Sequence, residues 1–398
     1  MKIIYAKEDL PLECSASIFL AGPTPRKSEV LSWRSEALGL LERAKFPGIV
    51  FVPEPRSGEW GSGPDAYLAQ VEWEKRAMDM ADILLFWVPR NMKDMPALTT
   101  NVEFGRYLDS GKIVFGAPQE AESVRYLEWL FSSSQGGVRH LTLWETVQAS
   151  LLRILDLLKS CKETTSLRKG GEVGIPLHIW ATPSLQAWRE SQEKAGNEIR
   201  SCRLLWKFQV PGAPSPFCWI LQTSVWVAKE NRLKDNEFVF ARTDISAAVL
   251  YYRREGHADP VEVILVREFR SPARTEDGFI RELPGGSSTS EKDPKEVVSS
   301  EVKEETGLII EGSRFSYLGS AQVAGTLSSH HCHLFSAELT SVEMARARKM
   351  ASSQETFGVA SDTEKTYLEV HNLSDLLSGS VAVDWATLGM ISRATSGF

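Results

Sequence analysis

Through its first third the chain alternates between two hydrophobic patterns. Short apolar runs, "SIFLAGP" (17–23), "GIVFVPEPR" (48–56), "DILLFWVPR" (82–90) and "IVFGAP" (113–118), read as buried strands ended by Gly or Pro. Between them, apolar residues recur every three or four positions. "SEVLSWRSEALGLLERA" (28–44) has Val30, Trp33, Ala37 and Leu41 at helical spacing. "PDAYLAQVEWEKRAMDMA" (64–81) and "TTNVEFGRYLDSGK" (99–112) read the same way. Strands alternating with helices predict a parallel sheet covered on both faces. In such folds ligands gather beyond the carboxyl ends of the strands. Those ends are "AGPTPR", "PEPRSGEW", "WVPRN" and the loop before Thr99.

The middle of the chain is helical in pattern. "YLEWLF" (126–131), "ETVQASLLRILDLLK" (145–159) and "PSLQAWRESQEKAGNE" (183–198) predict helices, and "KETTSLRKGGEVG" (162–174) a linker. From about 206 the pattern becomes strand-rich, in "FCWILQTSVWVAKE", "EFVFARTDISAAVLYYRRE" and "VEVILVREFR". We expect an α/β domain over 1–135, a helical connector over 136–205 and an α+β domain with a mixed sheet over 206–398.

Composition narrows the function classes. A 42% hydrophobic share suits a folded globular chain, and a net charge of −7 argues against a nucleic-acid polymer or anionic membrane as partner. Cys14, Cys161, Cys202, Cys218 and Cys332 are scattered, without a CxxC pair, and predict free thiols in a reducing compartment. "MKIIYAKEDLPLE" has too short an apolar run for a signal peptide, and no stretch approaches transmembrane length. A cytoplasmic protein acting on small molecules is expected.

The stretch "DPKEVVSSEVKEETGLII" (293–310) carries the first candidate chemistry. Asp293, Pro294 and Glu296 form a strong helix start and Gly307 a stop. Glu301, Glu304 and Glu305 share one face, where like charges repel. A solvated acidic face is the plain explanation. The preceding glycine loop "RELPGGSSTSE" (281–291) favours another, oxygen ligation of Mg²⁺ or Mn²⁺.

This stretch resembles the Nudix box, Gly-x5-Glu-x7-Arg-Glu-U-x-Glu-Glu-x-Gly-U with U apolar. Gly286, Glu301, Val302, Glu304, Glu305, Gly307 and Leu308 match it. Lys292 stands at the first Glu position, with Glu291 one residue early, and Ser300 at the Arg position. "VREFRSPAR" and "RELPGG" resemble the ADP-ribose pyrophosphatase branch, over roughly 206–398. The resemblance implies Mg²⁺-dependent hydrolysis of a nucleoside diphosphate-linked substrate. It implies Glu301, Glu304, Glu305 and Gly286 at the metal, Glu301 in metal or base work, and Arg267 and Arg270 at the substrate. Glu364, with Asp362 behind it, is the candidate further base. In "SSHHCHLF" (328–335), His331 and His333 share a strand face, but no zinc-finger Cys/His set accompanies them. Substrate contact or a hydrogen-bonded strand histidine is favoured there.

In the first third, Thr100-Asn101-Val102-Glu103 fits a capping box, so Glu103 has a purely structural explanation. A carboxylate at a helix start beyond a parallel strand also stays ionised and can attack an anomeric carbon. "IFLAGP", "ADILLFWVPR" and "TTNVEFG" followed by "SGKIVFG" resemble the nucleoside 2-deoxyribosyltransferase superfamily, which includes nucleotide N-glycosidases, over about 17–130. The resemblance implies a flavodoxin-like sheet, Glu103 as nucleophile and Glu74, with Glu72 as fallback, as the acid that serves the base. It implies substrate contacts from Gly22, Pro23, Thr24 and Asn101, and leaves room for a homo-oligomer through this domain. The aspartate usual a few residues before the nucleophile is absent, Ala97-Leu98-Thr99 standing in that region. Arg26, Arg56 and Arg90 fall at strand ends and suit a phosphate. Trp60, Trp73 and Trp87 are expected in the core rather than as stacking platforms.

The chain therefore reads as a bifunctional nucleotide-processing enzyme, one site breaking an N-glycosidic bond and the other a diphosphate linkage. The alternative is a nucleotide-sensing protein that binds without turnover.

Overall fold

The computed structural model describes residues 1–26, 29–160, 167–210, 213, 215–254, 256, 261–287, 292–358 and 364–396. Cys161, Glu291, Asp362 and residues 162–166 of the expected linker lie outside the described residues. The chain divides into two compact units, Met1–Phe208 with Pro214–Phe238, and Gln209–Ala213 with Val239–Phe398.

The first unit alternates β1 (Lys2–Tyr5), β2 (Ser17–Ala21), α1 (Arg34–Arg43), β3 (Ile49–Val52), α2 (Pro64–Met80), β4 (Ile83–Trp87), α3 (Leu98–Tyr107) and β5 (Ile113–Gly116). The strands form a five-stranded sheet in the order β1-β3-β2-β4-β5, and every pairing is parallel. Strand alternation explains why these runs are apolar throughout. Phe19, Phe51, Phe86 and Phe115 share one core with Trp73 of α2 and Phe104 of α3. Ile18, Val50, Leu85 and Val114 share a second with Ala37 and Leu41 of α1. Trp60, expected in the core, is 51% exposed, whereas Trp73 and Trp87 are buried.

Longer helices follow, α4 (Arg125–Gln135), α5 (Leu143–Ser160) and α6 (Pro183–Lys194). The segment expected as a connector lies within this unit. Leu143, Val147 and Ile154 of α5 belong to the core that α1 covers. The strand β1 went unanticipated because its run KIIY, unlike the other four, is not ended by Gly or Pro. The unit also carries β6 (Glu198–Phe208) and β7 (Cys218–Val227), paired antiparallel, and the chain runs on through β8 (Arg232–Arg242).

The second unit holds a mixed sheet. Its longer strands are β9 (Ile245–Arg253), β10 (Val261–Phe269), β11 (Phe279–Glu282), β12 (Ser316–Gln322), β13 (His331–Glu338) and β14 (Thr366–Asn372). The main path runs β12-β13-β9-β10-β14, with β11 beside β10. The β9–β13 pair is parallel and the other registers are antiparallel. One face packs on α7 (Pro294–Thr306) and α8 (Ser341–Ser353) through Val298, Val302, Met344 and Ala347. The other packs on α9 (Leu373–Ser378) and α10 (Trp385–Thr395) through Leu376 and Ile391. The start of α7 is as the sequence predicts. Asp293 accepts from the Lys295 N–H at 2.8 Å, Pro294 opens the helix, and Gly307 ends it at φ 67°.

Candidate functional site

Two groups of carboxylates stand out, one in each unit. The first lines a cavity of about 310 Å³ beyond the carboxyl ends of β2 and β4. Its walls are Gly22, Pro23, Thr24 and Arg26 after β2, Glu74 of α2, and the loop from Pro96 into α3, with Glu103. Gly22 lies at φ 146°, and a Cβ there would sit 2.1 Å from the Trp87 carbonyl oxygen. Only glycine lets this loop pass beneath the end of β4.

The capping role considered for Glu103 does not hold. Helix α3 opens at Leu98, after Ala97 in the left-handed region at φ 54°, so Glu103 lies in the second turn. The turn starts earlier because left-handed Ala97 redirects the chain before Thr100 is reached. The Glu103 carboxylate has no hydrogen bond or ion pair among the described residues. Phe104, its neighbour, meets Phe86 and Phe115 edge-on at 5.1 Å each and fixes the helix against the sheet.

Glu74 joins Glu103 in the cavity wall and accepts a hydrogen bond from Gln70 Nε2 at 2.6 Å. Burial raises both carboxyls. Glu103 is pushed up to about 7, with the Glu74 charge adding to burial and the Arg34 charge opposing both. Glu74 is raised by burial against the Gln70 hydrogen bond and Arg34. Glu103 is therefore partly protonated near neutral pH, beside a second carboxyl that burial also raises.

Arg34 organises this site and was not anticipated. It is 2% exposed and donates to the carbonyls of Leu20 at 3.0 Å and Gly22 at 2.7 Å, and to Thr24 Oγ1 at 3.1 Å. It also pairs with Glu54 at 2.6 Å. The sequence hides it as one more polar residue at a helix start. Its burial between "LAGPT" and Glu54 is a tertiary fact.

Other candidates are held elsewhere. Arg56 pairs with Glu8 at 2.6 Å and lies 4.4 Å over the Tyr5 ring. Arg90 donates to the Ser123 carbonyl at 2.6 Å and to Asn101 Oδ1, so the two join each other and neither lines the cavity. Glu72 is exposed on α2. Of the three arginines proposed for phosphate, only Arg26 reaches the cavity wall.

In the second unit, Glu268 of β10, Glu305 of α7 and Glu364 each bring one carboxylate oxygen within 4.8 Å of the others. Glu305 is 3% exposed and accepts from the Gly285 N–H at 2.8 Å. Burial holds its carboxyl well above the usual range. Glu301 is pushed up to about 7 by burial and the charges of Glu304 and Glu364, with Lys292 opposing. Its carboxylate packs against Gly286, where a Cβ would lie 2.6 Å from Glu301 Cδ. Glu304 is exposed and accepts from Ser300 Oγ at 2.8 Å.

Glu268 was missed, although the strand period could have found it. Ile264 packs against Val298 and Val302 of α7, and Glu268, four residues on, falls on the same face. Arg270 pairs with Glu268 and Glu282, both at 2.8 Å. Arg267 pairs with Glu369 at 2.8 Å and lies 4.6 Å over both Phe279 and Tyr367. Both arginines thus have partners within the fold. His331 and His333 make hydrogen bonds to Ser320 at 3.1 Å and Tyr317 at 3.3 Å. Among the described residues they join no metal-binding group.

Residues 15–121 match the family model described as nucleoside 2-deoxyribosyltransferase like. That segment is a nucleoside 2-deoxyribosyltransferase-like domain. The match spans β2 to β5 and includes Gly22, Arg34, Glu74 and Glu103. No curated protein matches the chain. No helix among the described residues is long and apolar enough to cross a membrane.

Proposed function

We propose that the nucleoside 2-deoxyribosyltransferase-like domain breaks the N-glycosidic bond of a nucleoside or nucleotide. The observation that carries this is Glu103, a half-buried carboxylate without a hydrogen bond among the described residues, sharing a cavity with a second half-buried carboxylate. Glu74 is held by Gln70, whereas Glu103 is the freer of the two to attack. In the reaction a Glu103 oxygen bonds to C1′ as the C1′–N bond breaks. Glu74, whose carboxyl burial raises, gives its proton to the departing base nitrogen. Water or another acceptor then takes the sugar from Glu103, which gives hydrolysis or transfer. Arg34 stabilises the remaining negative charge, and Arg26 at the cavity wall suits a phosphate on the sugar.

The second unit supports a further activity, Nudix-type hydrolysis of a diphosphate linkage. Three clustered carboxylates, two of them buried, are an oxygen-only donor set that fits Mg²⁺ or Mn²⁺. Glu305, Glu268 and Glu364 would hold the ion, with Glu301, Glu304 and the Gly286 backbone beside them. When bound, such an ion neutralises charge on phosphate oxygens. Glu301, partly protonated near pH 7, is placed to accept a proton from water.

A panel of nucleosides, nucleotides and dinucleotides, incubated with and without Mg²⁺, tests both parts. Release of free base without Mg²⁺, and of monophosphate only with it, is expected. A protein that releases neither product from any member would overturn the proposal in favour of ligand binding without turnover.

A further inference from the structure

A second cavity of the first unit, about 840 Å³ in volume, has no role in the reaction above. It lies at the opposite end of the parallel sheet. Asp79 and Met80 in its wall precede β4, and Lys112 precedes β5, whereas the Glu103 cavity follows β2 and β4. The two cavities nevertheless draw on the same helices, α2 and α3.

Its wall carries five cations, Arg76, Arg106, Lys112, Arg203 and Lys207. None of them forms an ion pair among the described residues. Lys112 is 4% exposed, and its Nζ donates to the carbonyls of Asp79 at 2.6 Å and Met78 at 3.3 Å. Arg203 donates to Gln222 at 2.8 Å, and Arg106 stacks on Tyr107. The ammonium of the half-buried Lys207 has neither a hydrogen bond nor an ion pair among the described residues. The carboxylates in the wall are Asp79 and Asp109, and Asp79 already accepts from the Tyr107 hydroxyl at 2.7 Å.

Arg76, Arg106 and Arg203 are exposed to solvent, so five cations facing one cavity make a wall that attracts anions. This charge is not a matter of general composition, since the chain as a whole is at −7. The surroundings add to it. Arg153 spends its guanidinium on the carbonyls of Ile113 and Gly111. Burial first, and then the charges of Lys207, Lys112 and Arg153, hold the His178 imidazole well below its usual range, and its buried Nε2 has no hydrogen-bond partner among the described residues. Tyr107 and the half-exposed Trp206 supply aromatic surface in the same wall. Guanidinium and ammonium groups match phosphate oxygens, and aromatic rings match a base. The volume lies in the range of small-molecule sites.

We infer that this basic cavity is a second ligand site, for a phosphate-bearing small molecule of nucleotide size. The inference does not depend on the glycosidic reading of the Glu103 cavity.

Isothermal titration of the full chain with ADP and with inorganic pyrophosphate, in chelator-containing buffer, tests it. The chelator keeps the acidic cluster of the second unit from recruiting phosphate through a cation. Binding of both probes is expected, and the Lys207→Gln/Arg106→Gln variant should weaken it about tenfold or more. Lys207→Arg should retain binding. Arg26→Gln removes the phosphate contact proposed for the other cavity, so the binding that survives it belongs to the basic cavity. Circular dichroism checks that each variant is folded. Absence of binding to the wild type at millimolar probe would overturn the inference. So would unchanged affinity in the folded double variant, or binding that is lost only with Arg26→Gln.

Discussion

Arg34, a wall of the Glu103 cavity, meets Glu54 at 2.6 Å with its own side chain almost wholly buried. Its guanidinium also holds the carbonyls of Leu20 and Gly22, so one side chain fixes the loop after β2 and supplies the positive charge facing two carboxylates. Lysine has the charge but not the fork of donors.

Arg34→Gln should therefore act in two ways. Removing one partner of a buried pair destabilises by about 3–5 kcal/mol, which urea denaturation would read. Loss of the cation also raises the carboxyls of Glu74 and Glu103 further, so the pH at which base release reaches half its maximum should move upward. An unchanged denaturation midpoint would show that Arg34 is not the keystone described.

A second buried pair ties a distant segment to the sheet. Arg168 and Asp82 meet at 2.6 Å with both side chains at 0% exposure, and Asp82 also accepts from the backbone N–H groups of Ser17 and Leu177. Arg168→Met should leave a buried carboxylate short of its cation and lower stability by about 3–5 kcal/mol. Adding Asp82→Asn should recover part of that loss. If the single variant melts with the wild type, the pair contributes nothing.

The sheet of the first unit was legible in sequence because its strands are short apolar runs cut by Gly and Pro, and its helices carry a clear period. What stayed hidden is tertiary. Arg34 reads as an ordinary polar residue until its burial is seen. Glu103 fits a capping box, and only the left-handed Ala97 shifts the helix start and frees it. Arg56 and Arg90 stand at strand ends as predicted, yet Glu8 and Asn101 hold them. In the second unit the acidic helix was plain, but Glu268 comes from a strand thirty-odd residues earlier, and only strand alternation links the two.

The close approach of Glu301 to Gly286 gives a prediction for the acidic site. In Gly286→Ala the new Cβ would lie 2.6 Å from the carboxylate carbon, so the flexible end of Glu301 must swing away. Stability should change by less than about 1 kcal/mol, because no backbone atom is displaced. Binding of Mn²⁺, followed by electron paramagnetic resonance, should nevertheless weaken. Glu268→Gln should weaken it as well, since it removes a charged oxygen from the cluster. Wild-type Mn²⁺ affinity in both variants would remove the metal from this site.

Glu103→Gln separates the catalytic from the structural consequences of one half-buried carboxylate. As the nucleophile, Glu103 must be ionised, and its carboxyl is pushed up to about 7, so base release should fall as pH drops below 7. The variant lacks the attacking oxygen anion and should lose base release by several orders of magnitude at every pH. Stability should move the other way. A carboxyl raised from 4.5 to about 7 binds more protons folded than unfolded in that window. The wild type therefore loses stability as pH rises from 4.5 to 7, by about 2–3 kcal/mol. Glutamine carries no such penalty. Glu103→Gln should be more stable than the wild type at pH 8, and the gap should close at pH 4. Urea midpoints at the two pH values, beside base release from a nucleotide, measure both effects. A variant that is stabilised but inactive fits a strained catalytic carboxylate, whereas one that releases base at the wild-type rate would end the nucleophile assignment.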